Sequence, residues 1–123
     1  MYERDWILRQ IQSMVKFIAR SLFKKEDMVY EIRDKDSYSE SDLVYRDIIH
    51  LLNERKINEA EDLLFEKIRT SNIDYLKIAL DFYSRLNQLS DEQLEINDFS
   101  REEIRLGVQD VMKLYNLEFP SFE

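Results

Sequence analysis

The chain has 123 residues and no cysteine, which fits a single domain and excludes disulfides, thiolate metal sites and cysteine nucleophiles. Apolar residues make up 44% and charged residues 36%, with one glycine and one proline, so a core is affordable but β-hairpin signals are nearly absent. The net charge of −8 disfavours general nucleic-acid binding, because phosphate needs a basic surface.

Charge is unevenly spread. Residues 1–25 hold six cations against two carboxylates, net +4, which leaves −12 on the remainder. The stretch WILRQIQSMVKFIARSLFKK (6–25) spaces its apolar residues at three- and four-residue steps, predicting a long amphipathic helix over 1–25. Ile7, Ile11, Met14, Val15, Ile18 and Leu22 form one stripe. Leu8 and Ala19 widen it on one side, Trp6 and Phe17 on the other, and Arg9, Lys16 and Arg20 fall opposite. So broad an arc predicts contact with more than one neighbour. Its charges rule out a transmembrane span and give no signal-peptide pattern, so a cytoplasmic location is expected.

Residues 26–33 are expected to form a short turn or helix, and the Asp- and Ser-rich 34–42 a polar linker. A four-helix body over 43–116 follows. Ser39 with Asp42 caps a helix over Leu43–Glu54, and Asn58 with Glu61 one running to about Arg69. Ser71 with Asp74 opens a helix to Leu89, Ser90 with Gln93 a short turn, and Ser100 with Glu103 a helix to about Tyr115. Residues 117–123, rich in Phe around Pro120, read as an extended aromatic tail. The fold class expected is all-α, a bundle of about five main helices.

Within it, LLNERKINEAEDLLFEKI (51–68) resembles the turn and second helix of a tetratricopeptide repeat. Leu51, Ile57, Ala60 and Leu64 take the large–small–large positions, while Arg55 and Ile48 stand where that repeat has glycine and no proline closes the unit near Asn72. One such unit makes a helix-turn-helix pair within a bundle, not a solenoid. MYERDWILRQIQSMVKFIARSLF (1–23) resembles the opening of an uncharacterised family of short bacterial helical proteins, through Met-Tyr-Glu, an Asp-aromatic pair, Arg-Gln-Ile, a Met and a closing Phe. That resemblance implies a helical fold and brings no activity.

Candidate chemistry is sparse. His50, the single histidine, is placed on a polar helix side near Asp47 and Glu54, without the second histidine a bundle metal site uses. Glu59, Glu61, Asp62 and Glu66 read as a solvated face, since no calcium loop accompanies them. Gly107, mid-helix, costs about 1 kcal/mol relative to Ala and points to close helix approach. Tyr75, Ala79, Phe82, Tyr83 and Leu86 share a face that reads as core. No catalytic, cofactor or metal residues are therefore assigned, and no small molecule.

Three roles compete for 6–25: core helix, seam for a protein partner or a second copy, or membrane-surface helix. The expectation is a helix that is both core and seam, in a non-enzymatic interaction or self-association module. Its candidate surface is Trp6, Ile7, Ile11, Met14, Phe17, Ile18, Arg9, Lys16 and Arg20. The alternative is a helical small-molecule or lipid-binding protein.

Overall fold

The computed structural model describes residues 2–24 and 29–118, with side chains from Asp5 onward. Among the described residues it is all-helical, without a strand. Helix α1 spans Tyr2–Ile18 and continues through a π-helical turn, Ala19–Phe23, closed where the Lys24 N–H donates to the Ala19 carbonyl. Residues 29–33 are not helical, contrary to the expectation for 26–33. Residues 25–28 lie outside the described set. So do 119–123, and with them most of the expected tail. Leu117 packs half-buried against the core.

Helix α2, Glu40–Asn53, begins three residues before the expected Leu43 because Ser39 and Asp42 form a reciprocal capping box. This draws Ser41 and Asp42 of the expected linker into the interior. Helix α3, Ile57–Lys67, has Lys56 at its N-cap and no side-chain cap. The Asn58 amide expected there instead donates to the carbonyls of Asn97 and Asp98. Helix α4, Ile73–Asn87, is capped by Asn72 rather than by its neighbour Ser71. The Ser90–Gln93 pair closes a full capping box on α5, Asp91–Ile96, and Ser100 caps α6, Arg101–Leu114.

The core follows from which faces are apolar. Helix α1 packs on α6 and on α4, as its broad arc requires, α4 packs on α6, and the α2–α3 hairpin joins through α4. Tyr75, Ala79, Phe82, Tyr83 and Leu86 are all buried, as are Ile57, Ala60 and Leu64 in the hairpin. From α1 the core takes Ile11, Met14, Val15, Ile18 and Ala19. Its four larger side chains, at roughly 2 kcal/mol each, contribute on the order of 8 kcal/mol, comparable to the whole stability of a small domain. Helix α1 is thus an integral core element.

Two polar devices fix the ends. At one corner the buried Arg101 guanidinium donates to the carbonyls of Asn87 and Leu89, to Asn87 Oδ1 and to Asp91. It thereby satisfies orphan carbonyls at the end of α4. The Asn87 amide also donates to the Leu8 carbonyl, tying in α1. At the other end Tyr115 Oη donates to the Arg69 and Asn72 carbonyls, joining α6 to the α3–α4 turn.

Candidate functional site

Helix α1 presents two unlike faces, and the expected interaction residues divide between them. Ile11, Met14 and Ile18 are sealed in the core and cannot meet a partner, and Ile7 is half-buried against it. Trp6, Arg9, Ser13, Lys16 and Phe17 are exposed, with Arg20 continuing them into the π turn. At about 100° per residue those six fall within one arc of roughly 100°, opposite the buried stripe. Trp6 keeps 54% of its surface in contact with solvent. Within that arc Trp6 and Phe17 lie along the edge nearer the buried stripe and the three cations along the other.

A second surface lies between α3 and α6. Glu61, Asp62, Glu103 and Asp110 ring an open groove of about 360 Å³, with Phe65, Leu106 and Gly107 completing its lining. Beneath it sits the fully buried Tyr83, whose hydroxyl donates to Glu61 Oε2 at 2.6 Å. The ring lies so close to Gly107 that a Cβ there would stand 2.3–2.6 Å from its edge atoms. Gly107 is what lets Tyr83 reach Glu61 across α6, the close approach expected from the sequence.

Burial pushes the Glu61 carboxyl above its usual range; the Tyr83 hydrogen bond opposes this, and Glu103, Asp62 and Asp110 add to it. The groove is thus a negative surface with surplus charge. Burial first, and then the Glu61 charge and its hydrogen bond, hold the Tyr83 hydroxyl protonated.

A third cluster has no such surplus. Asp81, only 3% exposed in the middle of α4, accepts the Tyr30 N–H at 3.1 Å and Arg85 Nε–H at 2.7 Å. Arg85 also donates to Tyr45 Oη, and Tyr30 Oη donates to Asp42 Oδ1 at 2.5 Å. Burial, reinforced by Asp81, pushes the Tyr45 hydroxyl up to about 12. This network pins residues 29–33 against α2 and α4. Its role is structural, and no feature of a mid-helix Asp announces it in the sequence.

His50 is solvated, with 72% of its side chain exposed and Nε2 3.5 Å from Glu54. Among the described residues no three His, Cys, Asp or Glu side chains converge to hold a metal ion, and no helix is long and apolar enough to cross a membrane.

Comparison with curated proteins and with solved structures gave no match. A family model, described as a family of unknown function (DUF6483), matches residues 1–116, from the start of α1 through the end of α6. The chain belongs to that family.

Proposed function

We propose that this chain is a non-enzymatic interaction module that self-associates, the outward face of α1 docking on the α3/α6 groove of a second copy. The observation that carries this is the division of α1: one face completes the core, while the other leaves Trp6 exposed alongside Arg9 and Lys16 on a chain of net charge −8. The groove offers the complement, four carboxylates around Phe65 and Leu106. Aromatic burial supplies affinity and the surrounding charges fix orientation. Two such contacts related by a two-fold axis close a dimer without leaving either surface open.

The reading includes a cytoplasmic setting and a bacterial source, as the resemblance of residues 1–23 suggests. The buried Ile57, Ala60 and Leu64 suit a hairpin of tetratricopeptide type, a unit used for protein contacts.

Solution mass by light scattering, over a wide range of concentration and salt, tests the proposal. The expected result is a species near twice 15.0 kDa at low salt that dissociates as salt screens the charges. The R9E/K16E double variant is then monomeric, and mixing it with D62K/D110K restores the dimer. A strict monomer under every condition overturns self-association. So does a dimer indifferent to both charge reversals. Because α1 is core, deleting residues 1–25 would unfold the chain, so point substitutions are the proper probe.

A further inference from the structure

A cavity of about 440 Å³ opens between the α2–α3 turn, the end of α4 and α5. Leu52, Ile57, Leu86, Leu89 and Ile96 form its apolar lining. Ile96 is 75% exposed, the most open of the large apolar side chains among the described residues. Such a residue gains most from being covered.

The polar side of the same cavity carries two guanidinium groups, Arg55 and Arg85. Arg85 spends Nε on Asp81 and Nη2 on Tyr45 Oη, so Asp81 offsets its charge. Arg55 has no ion pair among the described residues. It also holds a left-handed backbone, φ 61°, at the turn position where glycine is the unstrained choice. An exposed arginine without a carboxylate partner, at the rim of an apolar cavity, is placed to pair with an external anion. The start of α3, which lacks a side-chain cap, places N–H groups beside Ile57 and adds to the positive potential there.

We infer that this cavity binds a free amphiphile with one anionic head and an unbranched aliphatic tail, its carboxylate on Arg55 and its tail along Leu86, Leu89 and Ile96. The volume lies within the span typical of small-molecule sites, and the single unpaired cation matches a single negative head. The lining of this site shares no residue with either surface proposed for self-association, and it stands or falls separately from them.

Octanoate is the probe, titrated into the full chain and followed by two-dimensional amide and methyl NMR. Saturable shifts are expected at Ile57, Leu86, Leu89 and Ile96. Octylamine, with the opposite head on the same tail, is expected to leave these signals in place. Arg55→Gln, an exposed substitution that keeps the fold, weakens octanoate about tenfold, and Ile96→Asp abolishes binding while the rest of the spectrum is unchanged. Shifts that never saturate, that map elsewhere, or that persist undiminished in Arg55→Gln overturn the assignment.

Discussion

The two carboxylate clusters of this protein sit on adjoining helices and are built on opposite terms. Around α4, Asp81 and Asp42 are each met by donors: Asp81 by Tyr30 N–H and Arg85, Asp42 by the Tyr30 hydroxyl and the Ser39 N–H. Burial pushes the Asp42 carboxyl up, but the Tyr30 and Ser39 bonds outweigh it and hold the group below its usual range. Between α3 and α6, Glu61 receives one donor, Tyr83, and faces three other acids, and its carboxyl is pushed up. Both are acid clusters by composition. Only the first is satisfied from within, and that is why the first holds the fold while the second keeps surplus negative charge at the surface.

The largest expected effect comes from breaking the satisfied cluster. Asp81→Ala strands the buried Tyr30 N–H and takes the partner from the half-exposed Arg85, and should cost about 2 kcal/mol in urea unfolding, whereas Asp62→Asn should cost nothing. Equal costs would erase the distinction between the clusters. Next, Gly107→Ala drives a Cβ into the Tyr83 ring. Overpacking outweighs the gain in helix propensity, for a net loss of about 1–2 kcal/mol read by thermal melting.

The pH profile separates the clusters by sign. Asp42 titrates below its ordinary 3.8 in the folded chain, so its contribution is full above that value and is lost as pH falls through the depressed one. Asp42→Asn should therefore lose about 1 kcal/mol at neutral pH and show a flatter acid limb of stability against pH. Glu61 titrates above its ordinary 4.5, so its ionisation burdens the folded state increasingly as pH rises from there. Glu61→Gln should be more stable than the parent at neutral pH by about 0.5 kcal/mol, the gain fading below that value. A Glu61→Gln advantage that grows in acid would reverse the account of the groove.

Much of this was legible from the residues alone, and what was not has physical causes. Helix starts at Ser39, Ser90 and Ser100 announce themselves because a hydroxyl and a Glu, Gln or Asp three residues on are local chemistry. Asn58 misleads because its amide finds carbonyls about forty residues away. Helix ends are harder: α2, α5 and α6 each close with paired backbone bonds around a left-handed residue, and those residues are Arg55, Asp98 and Asn116. Without glycine at those places the usual stop signal is missing. Asp81 has one local partner, Arg85 one turn on, but its burial rests on Tyr30, which lies 51 positions away. The outward face of α1 was half legible. The cations stood out, but Trp6 and Phe17 border the apolar arc, and only the positions of α4 and α6 decide which side they join.

The Arg101 corner carries a further consequence. One guanidinium closes the end of α4 and the starts of α5 and α6, and the Asn87 it grips also holds the Leu8 carbonyl. Opening that corner releases α1 and α6 together, so the two belong to a single cooperative unit. Their slowest amides should exchange with solvent deuterium at one common opening free energy, while the α2–α3 hairpin exchanges on its own. A load applied to the outward face of α1 is then felt at α6 as a change in how often that unit opens, with no movement of either helix in the ground state.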